Sequence, residues 1–180
     1  GRGFGVIDPH GDLIEDIKIR LAYGPGPRSG EERARFLMER VVLIDPTSRT
    51  TTACFNPLEL YPGVPAAELS GELVTIFKKI WADSWGPRLE DLLRNSFIAL
   101  AEAGLTICDL PEFLIDENFR RKTLSRVHNE ICRSRFKQFE AQSEGAKNVW
   151  IEPVLNKINA LLTDDRLRQL FSSPKSTFDL

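Results

Sequence analysis

The sequence predicts an α/β fold that is mainly helical, with part of a parallel sheet carrying a large all-α domain. Three observations predict it. Two short apolar runs, "FGVI" (4–7) and "VVLI" (41–44), each end in Asp-Pro. A segment of helical period lies between them. From Ala66 to Phe171 nearly every stretch places apolar residues at helical spacing. The expected divisions are an α/β part at 1–62, an all-α domain at 63–175 and a return toward the first part at 176–180.

The two runs have the apolar, β-branched character of strands buried on both faces. Proline cannot continue a ladder and holds its predecessor extended, so Asp8-Pro9 and Asp45-Pro46 stop them. Between them, "DLIEDIKIRLA" repeats Leu13, Ile14, Ile17 and Leu21 on one helix face, with Asp12 as N-cap and Glu15 completing a capping box. "YGPGPRSG" reads as a surface loop and "EERARFLME" as a short helix. Strand, helix and strand in that order imply a right-handed parallel crossover.

After the Asn-Pro turn of "FNPLE" the helical domain begins. "AAELSGELVTIFKKIWADSW" spaces Leu69, Leu73, Ile76, Phe77, Ile80 and Trp81 along one face, with Trp81 and Trp85 as anchors between helices. "GPRLEDLLRNSFIALAEAG" opens with Pro87 in its first turn and closes at Gly104, a C-cap residue. "DLPEFLI" follows, capped by Asp109. Then come "ENFRRKTLSRV", "NEICRSRFKQFEAQ" and "IEPVLNKINALLTDDRLRQLF".

Composition narrows the functional classes. The 180 residues are 42% hydrophobic and 28% charged with a formal net charge of −2, so nucleic acid or membrane contact requires a local patch. No run reaches the roughly 20 apolar residues that span a bilayer. Three scattered cysteines (Cys54, Cys108, Cys132) fit a reducing cytoplasm and buried or idle thiols, and no metal-ligand spacing is present. The chain opens without methionine and stops at "STFDL", and it reads as a piece of a longer protein.

Three places could carry chemistry. "DPHGD" puts Asp8 at the end of a predicted strand, where open α/β sheets place ligands, with Gly11 allowing close backbone approach and Asp12 at a helix start. His10 could donate to a phosphate. The competing reading of Asp8-Pro9-His10-Gly11 is a β-turn leading to a helix cap. Asp45 repeats the pattern more weakly. The third is basic: Arg120, Arg121, Lys122, Arg126, Arg133, Arg135 and Lys137, interleaved with Phe119, Phe136 and Phe139. It is either a contact to DNA phosphates or cargo, or a set of solvated helix faces with the phenylalanines in the core. No GxxxxGK[ST] loop and no nucleophile elbow occurs.

"GFGVIDPHGDLIEDI", "RVVLIDPT", "FNPLE", "ELVTIFKKIWADSWGPRLEDLLRNSFIAL" and "PVLNKINALLTDDRLRQLFSSPKSTFDL" resemble, in this order, ATPases of the HerA/FtsK superfamily. The resemblance is closest to the branch of conjugative-transfer, or type IV secretion, coupling proteins. It implies that 1–62 belongs to a RecA-like nucleotide-binding core, two strands with a crossover helix, and that 63–175 is an all-α domain inserted into it. It further implies a Walker A loop before "DPHGD" and a Walker B strand after "STFDL", with ATP and Mg²⁺ in the intact protein. Asp8 matches the acid near the γ-phosphate, a catalytic role, and His10, Gly11 and Asp12 match nucleotide-proximal positions. The parent would be a homo-hexamer acting on DNA with a relaxase or other cargo protein, cytoplasmic or membrane-associated through segments outside this sequence. The piece itself would be inactive, a monomer or an edge-paired dimer, and a helical interaction module without a nucleotide role is the alternative.

Overall fold

The computed structural model describes residues 4–26, 28–45 and 53–178, and the chain divides into two units, Gly1–Leu43 and Ile44–Leu180. The described residues are mainly helical, as expected. The parallel sheet is not formed: no strand occurs among the described residues. Residues 4–7 and 41–44 have no regular structure, and Phe4 and Ile7 are 86% and 95% exposed. A strand exists through its ladder to neighbours, and short segments apolar on both faces gain little until both faces are covered.

In the first unit, α1 (Asp12–Tyr23) and α2 (Gly30–Arg40) lie side by side. Arg33 Nη1 donates to the Ala22 carbonyl at 3.2 Å, and the Arg28 guanidinium lies 4.2 Å from the centre of the Phe36 ring. Neither helix buries a residue. The expected capping box also differs. Asp12 is the first residue of α1, Gly11 holds the N-cap position at φ 89°, and the carboxylate that meets the helix amides is Asp8. The left-handed backbone at Gly11 turns the chain so that the earlier acid reaches them.

The second unit is built around α4 (Pro87–Glu102), which packs against α3 (Ala66–Ile80), α5 (Leu110–Ile115), α6 (Glu117–Leu124), α7 (Glu130–Glu140) and α8 (Glu144–Leu162). A helix surrounded in this way must be apolar on most of its circumference, and α4 buries Leu89, Leu92, Leu93 and every residue from Asn95 to Ala101. It ends as predicted near Gly104, whose φ is 70°. The Gly104 amide donates to the Ala101 carbonyl and the Leu105 amide to that of Leu100, the paired bonds of a Schellman motif. Aromatic rings fill the core: Phe113 meets Phe136 edge-on at 4.9 Å and Phe77 meets Phe97 at 5.5 Å.

Capping side chains set where the later helices start. Asp116 accepts the Phe119 amide, Asn129 that of Cys132 and Ser143 that of Ala146. Asp109, expected to cap α5, instead reaches back to the Thr106 amide and hydroxyl and closes the capping box of the 3-10 turn Ile107–Asp109. The last long helix starts earlier than Ile151 because Pro153 lies inside α8 rather than at its entry. Lys147, Ile151, Val154 and Ile158 form one buried stripe through the proline, and their packing outweighs the missing donor.

A short helix, α9 (Asp165–Leu170), follows, and the chain then runs back beside residues 54–59. The Thr177 amide donates to the Cys54 carbonyl at 2.9 Å, and Glu59 accepts the Ser176 amide and pairs with Lys175. Asn56, 2% exposed, donates to the carbonyls of Leu105 and Pro174 and accepts the Leu58 amide.

Candidate functional site

The turn ahead of α1 brings Asp8, His10, Gly11 and Asp12 together. Asp8 Oδ1 accepts the His10 amide and Oδ2 accepts the Ile14 amide, both at 3.1 Å. The Ile14 bond contributes most to holding the Asp8 carboxyl below its usual value; burial, next in size, opposes it, and the His10, Gly11 and Leu13 amides add to the lowering. Asp8 is therefore an ionised carboxylate at neutral pH, fixed in direction by backbone rather than by a cation. Each carboxylate oxygen has further lone pairs for a ligand. The side chains of His10 and Asp12 are exposed, and Gly11 supplies the turn that only its φ of 89° makes easy.

At the other acid–proline pair, Asp45 closes the 41–45 stretch, and Pro46 lies outside the described residues. The final pair of "STFDL", Asp179 and Leu180, lies outside them too.

The basic cluster separates into different environments. Arg120 is 2% exposed: its Nη1 donates to the carbonyls of Phe113 and Leu114, its Nε to Glu140, and its guanidinium lies 5.3 Å from the centre of the Phe139 ring. It secures the C-terminal end of α5 from inside, so its assignment to a DNA or cargo surface is corrected. The α5 carbonyls have no further helix turn to bond to, and a planar five-donor group satisfies two of them at once. Arg135 pairs with Asp91 of α4 and Arg121 with Glu117 on its own helix. Lys122, Arg126 and Arg133 are exposed and make no ion pair among the described residues. Phe136 and Phe139 are core, as one of the two sequence readings held.

One feature escaped the sequence reading. Lys147 and Glu140 join Arg120 in a half-buried ionic group, with Lys147 Nζ 3.1 Å from Glu140 and 2.9 Å from Glu144. Burial works to raise the Glu140 carboxyl, but the hydrogen bonds and charges of Arg120 and Lys147 outweigh it and hold the value down. The only advance signal was Lys147 falling in helical register with Ile151 and Val154. The three cysteines, read from the sequence as buried or idle, meet different surroundings. Cys132 is fully buried and its thiol is pushed up to about 12 by burial, with Glu102 adding to it, whereas Cys54 and Cys108 are only half-buried.

Among the described residues no helix is long and apolar enough to cross a membrane. No protein-family model, curated protein or solved structure matches the chain.

Proposed function

We propose that the chain is part of an ATP-driven DNA translocase of the conjugative coupling type within the HerA/FtsK superfamily, contributing the Asp8 turn to the nucleotide site and a helical unit that engages DNA or cargo. The observation that carries this reading is the Asp8 carboxylate itself, ionised and aimed by two backbone amides. A carboxylate held that way is suited to position a hydrated Mg²⁺ or an attacking water. His10 would lie along the phosphates, and Gly11 would let the backbone approach them.

These residues fit the edge of a nucleotide site and not its centre. The chain has no GxxxxGK[ST] loop, and without that cradle of amides and its lysine the phosphates are weakly held. ATP and Mg²⁺ therefore belong to the intact protein, and hydrolysis requires residues beyond this chain. Apolar residues 4–7 and 41–44 would become sheet strands only there. In the basic cluster of the helical unit, Lys122, Arg126, Arg133 and Lys137 are exposed cations that make no ion pair among the described residues, and they would meet an anionic partner, since Arg120 and Arg135 serve the unit's own packing.

The encoding gene tests the reading. A GxxxxGK[ST] loop encoded within a few tens of codons ahead of Gly1 supports it. An open reading frame carrying none there contradicts it and leaves the helical interaction module.

A further inference from the structure

Two of the three cysteines converge on the end of α9. Cys54 Sγ lies 3.9 Å from the Gln169 carbonyl oxygen, and Cys108 Sγ lies 3.6 Å from that of Arg168. These carbonyls are consecutive in one helix, so their oxygens are about 3–4 Å apart and the two sulfurs at most about 11 Å apart. An independent contact brings the same segments together. Asn56, two residues beyond Cys54 and so on the same side of an extended chain, donates to the carbonyl of Leu105, three residues before Cys108. Both thiols are half-buried, within reach of a small reagent, while Cys132 is enclosed and donates to the Asn95 carbonyl at 3.2 Å.

We infer that Cys54 and Cys108 are an oxidisable thiol pair, closed by a small-molecule disulfide of the glutathione class into an intramolecular bridge across the end of α9. The first thiolate attacks the reagent's S–S bond, leaving a mixed disulfide in the chain and releasing one glutathione thiol. The second thiolate displaces the other glutathione, so one S–S bond is broken, one is formed, and two protons leave the chain's thiols. Burial pushes the Cys108 thiol above its usual value, so the exchange quickens as pH rises.

Residues 54–56 are tied to 170–178 mainly by hydrogen bonds and by the Phe55–Phe178 ring pair, and a disulfide needs Cα atoms roughly 4.4–6.8 Å apart. Closure would fix this strap to the helical unit through a covalent bond. The scattered spacing in sequence hides the pair, because the two thiols meet neighbouring carbonyls of α9 only in the folded unit.

The test is to treat the reduced, intact chain with oxidised glutathione and follow intact mass and non-reducing peptide maps, with a parallel sample in urea. The expected product has lost two hydrogens, carries no glutathione, and yields a Cys54–Cys108 peptide, formed faster at higher pH. In urea, pairings that include Cys132 should appear alongside it. The inference is overturned if glutathione stays on Cys54 or Cys108, if native pairing includes Cys132, or if the native chain gives no bridge while all three thiols react in urea.

Discussion

The helices of the two units carry apolar residues at similar spacing and put them in opposite surroundings. In Gly1–Leu43, α1 repeats Leu13, Ile14, Ile17 and Leu21, yet Leu13 is 53% exposed and no residue of α1 or α2 is buried. In Ile44–Leu180, α4 buries ten residues, and Phe97, Leu100, Leu110 and Phe113 are wholly enclosed. Periodicity determines that a segment can be an amphipathic helix, whereas burial depends on an opposing face. Stability therefore resides in the helical unit, and the proposed nucleotide residues stand in a unit without a core of its own.

Several substitutions would break or sharpen that contrast. Phe97→Ala removes a side chain enclosed between α3 and its neighbours and should lower the unfolding free energy of the helical unit by about 3–5 kcal/mol, read by urea denaturation followed by circular dichroism. Arg120→Ala, which takes the donor from two carbonyls and from Glu140 Oε1, should cost about 3 kcal/mol in the same assay. Its neighbour Arg121→Ala should change stability by less than about 0.5 kcal/mol, because the Glu117 pair is exposed on one helix. Equal effects at the two arginines would contradict the internal role of Arg120.

Acid should act through the same ionic group. The folded-state carboxyl of Glu140 is held below its usual value, so its contribution is complete above the ordinary carboxyl range and is lost as pH falls through the lowered value. Glu140→Gln should flatten this acid limb of the stability curve, and an unchanged limb would assign acid sensitivity to other carboxylates. The smallest effect belongs to the first unit: Ile7→Ser, at a site 95% exposed, should leave the unfolding of the helical unit within about 0.5 kcal/mol of the parent.

Much of the helical unit was legible in the sequence because the signals are local. Helical spacing marked α3, α4 and α7, Pro87 and Gly104 marked the ends of α4, and each needs only a few neighbouring residues to act. The sheet was not legible in the same sense. "FGVI" and "VVLI" have strand composition, but a ladder requires partners distant in sequence, and composition does not supply them. The burial of Arg120 within the basic cluster was hidden for a related reason. Arg120 and Arg121 are adjacent and alike, and with few apolar residues to set the phase of α6, nothing local says which of them faces the core.

At the Asp8 turn, the sequence identified the acids and the glycine, while geometry exchanged the capping role between Asp12 and Asp8. That exchange matters for the functional reading, since a helix-capping carboxylate explains the turn without a nucleotide. Asparagine can keep the amide bond to the helix through its one carbonyl oxygen, gives up the bond to the His10 amide and carries no charge, which makes Asp8→Asn the substitution that separates the two roles.

The most direct measurement is ATP hydrolysis by the full-length protein carrying Asp8→Asn, with its thermal unfolding followed alongside. The proposed role predicts a fall in turnover of about 100-fold or more with unfolding unchanged. Turnover equal to that of the unsubstituted protein would contradict it and leave Asp8 as a helix cap.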